Sequence, residues 1–415
     1  MNLKDKLARL DKNSSQTPIQ KTGTVQYRDW AEDFQRELDA RILSEGNSFI
    51  IMKENYYPVY RNPDFEKLRS NGFIVNQFDR ITGDRSTGTF NLQKYLFIDT
   101  ETTGLAGGTG TYAFLVGIGH IELDHIVVRQ YVLPDFQHEW LLLKHVENRL
   151  VTAEGIGSFN GKSYDIPLLR TRFVLNRIDS VLDDLPHIDI LHAARRIWKQ
   201  RLGSCTLQDL EYAILGQERV GDIPGEMIPQ IYFDFIRKRN ATLLRDVLEH
   251  NFFDIVHLVL LTIEIVRVLE APRTKLTHPQ DLFSLARYFY QQKQYDIAIP
   301  LFEQLSRQEN AEESAQNALY FLAMTHKKLG ERQKSSAVMH RLLEVKNNHP
   351  GALEELAKYY EHVKKEYRLA LDLVKQGLNH IEMMEQLGRN APIAQLKDNL
   401  LYRRNRLRNK LAKKS

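Results

Sequence analysis

Cysteine is almost absent from this sequence: Cys205 is the only one among 415 residues. A single cysteine excludes an intramolecular disulfide and favours a reducing compartment. The amino-terminal residues MNLKDKLARLDKNSSQ also lack the continuous apolar core that a secretory signal needs, because charged residues interrupt them throughout. These two absences predict a cytoplasmic protein.

Long hydrophobic runs are missing as well. The longest apolar stretch, Ile255–Leu269, is interrupted by a histidine, a glutamate and an arginine. A membrane-spanning helix needs about 20 predominantly apolar residues, so this stretch predicts a buried helix and no contact with a membrane. The length of the chain predicts two or three globular domains.

Charge of each sign is concentrated in a different part of the chain. Residues 91–270 contain 18 lysines and arginines against 24 aspartates and glutamates, whereas residues 271–415 contain 25 against 16. Much of the basic excess lies in Arg389–Ser415, which has nine basic residues and one acid. Such a segment is either the solvated face of a helix or a contact for a phosphate backbone. In the second case the contacts would come from Arg403, Arg404, Arg406 and Arg408.

The segment YLFIDTETTGL, Tyr95–Leu105, places two carboxylates directly after a short apolar run. The run is too short for a helix and predicts a buried strand. Asp99 and Glu101 are two residues apart, so on an extended chain they project to the same side. Such a pair would supply half of an oxygen-ligand site for Mg²⁺ or Mn²⁺, which needs further acids from elsewhere. The alternative is a pair of acids that accept hydrogen bonds in a turn.

Further candidate residues occur at the ends of later elements. Asp165, in SFNGKSYDIPLL, lies at a strand-to-helix turn, where an aspartate commonly caps the helix. His250 and Asp254 are four residues apart and would share one face of a helix, although a histidine there could equally be a surface residue. The segment ERVGDIPGEMIPQIY is punctuated by glycine and proline and is long enough to border a site.

The order of these elements predicts an α/β fold. Three strand-like runs follow residue 91, then a helix at Glu139–Leu150, a strand in GIGSFNG and a helix from about Ile166. This order predicts a mixed sheet with flanking helices. Before it, apolar residues recur at helical spacing from Trp30 to Leu43, and NSFIIMKENYYPVY predicts a strand and a turn.

Together, these residues resemble the three motifs of the DEDD (DnaQ-like) 3′–5′ exonucleases over roughly residues 91–270. The matching residues are Asp99 and Glu101 in DTETTG, Asp165 in FNGKSYDIPLL, and Asp254 preceded by His250. The resemblance implies a ribonuclease H-like fold in which these four acids bind two divalent cations, Mg²⁺ or Mn²⁺. The cations would activate water and stabilise the leaving oxygen of a phosphodiester.

The resemblance also implies a role for His250, which would deprotonate or orient the attacking water. Its spacing departs from the family pattern. The histidine-type members have four residues between histidine and the last aspartate, whereas three residues separate His250 from Asp254, as in the tyrosine-type members.

The segments FNGKSYDIPLLRTR and HNFFDIVHL are similar to a narrower branch of this fold in Gram-positive bacteria, which joins such an exonuclease to tetratricopeptide repeats. This similarity implies a DNA-repair enzyme that works alongside a helicase. Two alternatives remain open. One is an exoribonuclease, because the motifs handle the phosphate and do not read the 2′-hydroxyl. The other is an inactive nuclease fold that serves as a scaffold for partners.

The carboxyl-terminal third predicts an all-α repeat domain. Leu285-Ala286 recurs as Leu322-Ala323 and Leu356-Ala357, at tetratricopeptide-like intervals of 37 and 34 residues, with one residue inserted near His362. Three helix pairs closed by a helix at Ile393–Leu411 would form a stack that binds a protein partner, for which the family resemblance suggests the helicase. A helical bundle that only braces the nuclease is the alternative.

We therefore predict an α/β ribonuclease H-like mixed sheet with flanking helices, followed by an all-α domain of tetratricopeptide-like repeats. The predicted divisions are a polar arm at 1–24, an elaboration at 25–90, the exonuclease domain at 91–270, the repeats at 276–388 and a basic helix at 389–415.

Overall fold

The computed structural model describes residues 26–59, 78, 81, 91–104, 109–308, 312–387 and 394–413. The predicted polar arm lies outside these residues. The strands are β1 Arg41–Glu45, β2 Ser48–Pro58, β3 Tyr95–Thr102, β4 Ala113–Glu122, β5 His125–Val132, β6 Gly155–Ser158 and β7 His187–Asp189. The helices up to residue 270 are α1 Gln26–Leu38, α2 Glu139–Leu150, α3 Asp165–Leu175, α4 Ile190–Leu202, α5 Leu207–Leu210, α6 Ile228–Lys238 and α7 Arg245–Glu270.

In the described part of the chain the seven strands form one mixed sheet, in the order β1-β2-β5-β4-β3-β6-β7. Four neighbouring pairs are antiparallel, namely β1–β2, β2–β5, β5–β4 and β4–β3. β6 is parallel to both of its neighbours, β3 and β7. The predicted mixed sheet with flanking helices is confirmed. β3 pairs with β6 only through Tyr95–Phe97, so the end that carries Asp99 and Glu101 extends beyond β6 and is paired with β4 alone.

Successive side chains of β3 point to opposite faces of the sheet and pack into two separate hydrophobic cores. Phe97 joins the core that includes α4 and most of α7, whereas Leu96 and Ile98 join the core that includes α1, α2, α3 and α6. Because successive residues of a strand point to opposite faces, Asp99 and Glu101 lie on the same face as Phe97. This is the face that α7 covers.

The helix predicted from Trp30 to Leu43 is correct only in its first part. It ends at Leu38, Asp39 adopts a left-handed conformation with φ 51°, and Leu43 lies in β1 opposite Ile50. The apolar spacing matched a helix, but pairing with β2 satisfies the backbone of residues 41–45 in the sheet instead. The hairpin β1–β2 extends the same sheet beyond β5.

After residue 271 the described residues contain helices and no strand, which confirms the predicted all-α part. The helices are α8 Pro272–Lys275, α9 Pro279–Gln291, α10 Tyr295–Leu305, α11 Glu312–Lys328, α12 Arg332–Val345, α13 Pro350–Tyr359, α14 Tyr367–Gln386 and α15 Ala394–Ala412. From α9 onwards each helix packs on the next, and the three repeated Leu-Ala pairs are buried. A π-helical turn, Tyr360–Lys364, lies where the repeat spacing predicted an inserted residue.

The helical part is packed firmly against the sheet-containing part through α4 and α9. Arg201 Nε lies 2.8 Å from Asp281 Oδ2, and Ser284 Oγ donates to Gln200 Oε1 at 3.1 Å. One hydrophobic cluster runs from Phe97 in the sheet through α4 and α7 into the repeats. A fragment that contained only the repeats would therefore expose apolar surface.

The basic helix α15 is held by one buried carboxylate, Glu361, in the π-helical turn. Glu361 is fully buried and accepts hydrogen bonds from Arg403, Arg406 at 2.6 Å and Lys410 at 2.8 Å. Burial alone would raise the pKa of Glu361, but the hydrogen bonds from Arg406 and Lys410 outweigh it and lower the pKa to about 2. Two of the four arginines predicted to contact nucleic acid thus have a partner inside the protein.

Glu361→Gln is expected to destabilise the end of the helical stack by about 1–3 kcal/mol, because it leaves three cations around an uncharged group. A depressed pKa adds stability above the unfolded value of about 4.3, and that stability is lost as the pH falls towards 2. Urea unfolding at pH 7 measures the effect. The control is Asp372→Asn on α14, an exposed acid whose loss should cost less than about 0.5 kcal/mol. Equal unfolding midpoints for the two variants would contradict this role of Glu361.

Candidate nuclease site

Two glycines of β4 allow α7 to lie close to the acids of β3. Gly117 pairs with Asp99, and a Cβ atom at Gly117 would lie 2.3 Å from Asn251 Oδ1. A Cβ atom at Gly119 would lie 2.3 Å from Ile255 Cγ2. Because no side chain separates β4 from α7 at these points, the helix carries its polar residues to the end of β3.

Asn251 connects α7 directly to the first acid. Its Nδ2 donates to Asp99 Oδ2 at 2.8 Å, and its Oδ1 accepts from Gln130 Nε2 at 2.9 Å. Asn251 is fully buried, so both hydrogen bonds are shielded from water. The contact fixes the rotamer of Asp99 and sets the distance of α7 from the sheet.

Asp165 is the first residue of α3, and its carboxylate is bonded to β3. Its Oδ1 accepts from the Thr100 backbone N at 3.1 Å and from Thr100 Oγ1 at 2.5 Å. The loop before it is held by the buried Asp189 at the end of β7, which accepts from the backbone N of Asn160 at 2.8 Å and of Lys162 at 3.2 Å. The strand-to-helix turn predicted from the sequence therefore brings Asp165 to β3, where its carboxylate does not act as a helix cap.

His250 and Asp254 face the same region from α7. His250 Nε2 lies 3.5 Å from Asp254 Oδ2, as the four-residue spacing on one helix predicts. On the other side of the ring, His250 Nδ1 lies 2.7 Å from Asp222 Oδ1. Both histidine nitrogens are thus directed at carboxylates.

The loop that the sequence predicted to border a site does so with two charged side chains. Arg219 Nη2 lies 2.5 Å from Asp254 Oδ1, and Arg219 also contacts Glu211 and Asp222. Sequence reasoning did not single out Arg219, Asp222 or Asn251. The only signal for the first two was their position in a loop rich in glycine and proline.

Burial raises the pKa of all four acids, and repulsion among them adds to the effect for Asp99 and Glu101. Burial raises the pKa of Asp99 well above its usual range, and the charges of Asp254 and Asp165 raise it further. Burial also raises the pKa of Glu101 well above its usual range, and the charge of Asp99, followed by those of Asp254 and Asp165, raises it further. Burial raises the pKa of Asp165 to about 6, although the hydrogen bonds from Thr100 oppose the shift. Burial also raises the pKa of Asp254, against His250 and Arg219.

This set of donors suits a hard divalent cation, because every candidate ligand is a carboxylate oxygen and the local negative charge is only partly offset. No group of three or more His, Cys, Asp or Glu side chains among the described residues is arranged so that it could hold a metal ion. Three of the acids are instead bonded to Asn251, Thr100 and Arg219. Glu101 has no side-chain partner in the described ranges. Binding a cation therefore requires these carboxylates to exchange protein partners for the ion.

Residues 96–266 match a family model of the RNase H superfamily. YprB of Bacillus subtilis (strain 168), an uncharacterized protein, is 31% identical to this chain over 340 residues, which make up 80% of this chain and 81% of YprB. The chain belongs to the YprB family. In this member of the YprB family the superfamily domain contains all four acids and His250.

An RNase H superfamily domain indicates a nuclease, a hydrolase that binds nucleic acid, and such nucleases usually employ divalent metal ions. The predicted ribonuclease H-like fold is thereby confirmed for this YprB-family chain. In the described ranges, no helix has both the length and the apolar character of a membrane span.

Proposed function

We propose that this protein is a DEDD-type 3′–5′ exonuclease that hydrolyses phosphodiester bonds in DNA. The observation that carries the proposal is the convergence of Asp99, Asp165 and Asp254 from three separate elements, with Glu101 two residues from Asp99 on the same face. Each of these carboxyl groups has a raised pKa, and mutual repulsion contributes to those of Asp99 and Glu101. The four acids would hold two cations, Mg²⁺ or Mn²⁺, which activate water and stabilise the leaving oxygen when bound.

His250 is the general base in this proposal. Because Asp222 accepts at 2.7 Å, the proton of the neutral ring is held on Nδ1, and Nε2 keeps the lone pair that takes a proton from water. Asp222 thus orients the ring. Arg219 restrains Asp254 and offsets part of its charge. Two residues of one loop would in this way position His250 and Asp254 before substrate arrives.

The proposed biological role is DNA repair with a helicase partner bound through the tetratricopeptide-like repeats. Its support is the resemblance to mitomycin repair factor B of Gram-positive bacteria and the stack of helices α9–α14, each packed on the next. Because the repeats share a core with the nuclease part, a partner should be sought with the full chain as bait. Recovery of nucleic acid without protein would favour a substrate-binding role for the repeats.

The direct test is a degradation assay on end-labelled DNA and RNA of the same sequence, with Mg²⁺, Mn²⁺ or a chelator. We expect metal-dependent shortening of DNA from the 3′ end. Degradation of RNA alone would replace the proposal with an exoribonuclease. The absence of hydrolysis with every metal would favour the inactive scaffold.

Metal binding can be tested without turnover by thermal unfolding of the wild type and of Asp99→Asn. Mn²⁺ at about 100 times its dissociation constant should stabilise the wild type by about 2.7 kcal/mol and the variant much less. In chelator the variant should be the more stable protein, because asparagine removes a buried acid that repels its neighbours. For Asp165 the cost of burying the charged carboxylate develops as the pH rises from about 4, its unfolded pKa, to about 6.

The matched control for this measurement is Glu154→Gln, an exposed acid paired with Lys94 away from the site. It should respond to Mn²⁺ as the wild type does. Equal stabilisation of Asp99→Asn and the wild type by Mn²⁺ would remove Asp99 from the proposed ligands.

A further inference from the structure

We propose that a basic groove between α4 and α9, at the junction of the two parts of the chain, binds the phosphate backbone of the nucleic acid substrate. The groove has a volume of about 370 Å³. Its cationic lining residues are Arg195, Arg196 and Lys199 from α4 and Arg287 from α9. The inference rests on the proposed nuclease function and adds a binding surface outside the acidic site.

The charge of the groove is of one sign. No aspartate or glutamate is among the residues that line it. In the described part of the chain Arg195, Lys199 and Arg287 are exposed and have no carboxylate within ion-pair distance. Neighbouring Arg201, in contrast, is paired with the buried Asp281 and belongs to the interface. Three exposed cations without an ion-pair partner match a polyanion.

Arg196 has a different position in the groove. Its guanidinium donates to the backbone oxygen of Ile81 and lies 5.1 Å from the centre of the Tyr288 ring. These contacts fix Arg196 in the wall between the two parts. Lys199 donates to the backbone oxygen of Gly203, and Arg287 lies 6.0 Å from the centre of the Phe283 ring, but both side chains are exposed, as is that of Arg195. The cations that a ligand can reach are therefore Arg195, Lys199 and Arg287.

The groove lies within reach of the candidate site on the same side of the sheet. α4 begins directly after Asp189, which holds the loop that leads to Asp165. Arg195 and Lys199 follow Asp189 by six and ten residues, or about 9–15 Å along a helix. Successive phosphates of one strand are separated by about 3.4 Å along a duplex axis, so this distance corresponds to roughly three or four nucleotides.

The groove is a better candidate for phosphate contact than the basic helix α15. Glu361 already binds Arg403, Arg406 and Lys410, which leaves Arg404 and Arg408 from the four arginines predicted by sequence. α4 precedes α8 in the chain and belongs to the nuclease part, whereas α9 follows α8 and belongs to the repeats. A ligand in the groove would therefore contact the nuclease part and the repeats together.

The test is the full chain with Arg195→Gln, Lys199→Gln and Arg287→Gln combined. Binding of a fluorescent single-stranded DNA is measured by anisotropy in chelator, so that hydrolysis does not interfere. We expect affinity to fall about 10- to 100-fold at low salt. The slope of log affinity against log salt should decrease in magnitude by about two, since each lost phosphate contact changes it by about 0.7 for a single strand.

The control variant removes the same number of charges from α15 and the residue that follows it, through Arg404→Gln, Arg408→Gln and Lys413→Gln. It should bind as the wild type does. Loss of affinity in this control with normal binding by the groove variant would overturn the proposal in favour of the basic helix. A variant with Arg195→Lys and Arg287→Lys keeps the charge and should retain the salt slope, which separates the effect of charge from damage to the fold.

Two further outcomes are informative. If the groove variant binds DNA normally but no longer binds a poly-glutamate peptide, the groove serves an acidic protein and the proposal is wrong. If the wild type binds DNA through the groove but hydrolyses neither DNA nor RNA, the exonuclease proposal fails while the groove remains supported.

Discussion

Asp99→Ala or Asp254→Ala is expected to abolish hydrolysis of DNA while the fold remains intact. Each change removes one proposed ligand of the metal pair, and a metal ion contributes several kcal/mol of transition-state stabilisation. The expected loss of rate is therefore about 10³-fold or more. Single-turnover degradation of end-labelled DNA in Mn²⁺ measures it, and circular dichroism checks the fold.

The two variants should differ in their structural side effects. Asp99→Ala deprives the buried Asn251 of an acceptor, and Asp254→Ala deprives Arg219 of one of its carboxylates. The matched control is Glu249→Ala, an exposed acid on α7 directly before His250, which should retain wild-type turnover. Normal turnover by purified Asp99→Ala and Asp254→Ala would refute the site.

His250→Ala is expected to lower the rate by roughly 10²–10⁴-fold, the usual contribution of a general base. The apparent affinity for DNA should change much less, because the ring contacts carboxylates and its proposed role is limited to the proton. Single-turnover degradation of end-labelled DNA measures the rate, and anisotropy of labelled DNA in chelator measures the affinity.

Asp222→Asn separates the orientation of His250 from its chemistry. The amide keeps the size of the carboxylate but no longer favours a proton on Nδ1, so we expect a loss of about 10- to 100-fold. Addition of Asp222→Asn to His250→Ala should then cost little more, because the two residues act as one unit. A near wild-type rate for His250→Ala would show that the metal ions alone activate the water.

Local sequence patterns determined much of the sheet and its flanking helices. The apolar run before Asp99 could only be a short strand, and the helical period of Glu139–Leu150 gave both ends of α2 correctly. The order of strands and helices and the resemblance of the motifs then selected four acids and His250. Each of these inferences depends on residues within a few positions of one another, where the period of a strand or helix is itself the signal.

The tertiary structure decided the features that depend on residues far apart in the sequence. The helical spacing near Leu43 was overridden when β2 offered a strand partner. Asn251 reaches Asp99 only because Gly117 leaves no side chain in between. Arg219 and Asp222 come from a loop, which has no period to predict where its side chains point.

The location of the unpaired basic residues also depends on the tertiary structure. Sequence drew attention to α15, where positive charges are consecutive along the chain, but Glu361 binds three of them from a different helix. The unpaired charges of Arg195 and Arg287 are 92 positions apart and meet only because α9 packs on α4. Composition counts charges, whereas packing decides which of them are neutralised, because a charge pairs with whatever the fold places within a few ångströms.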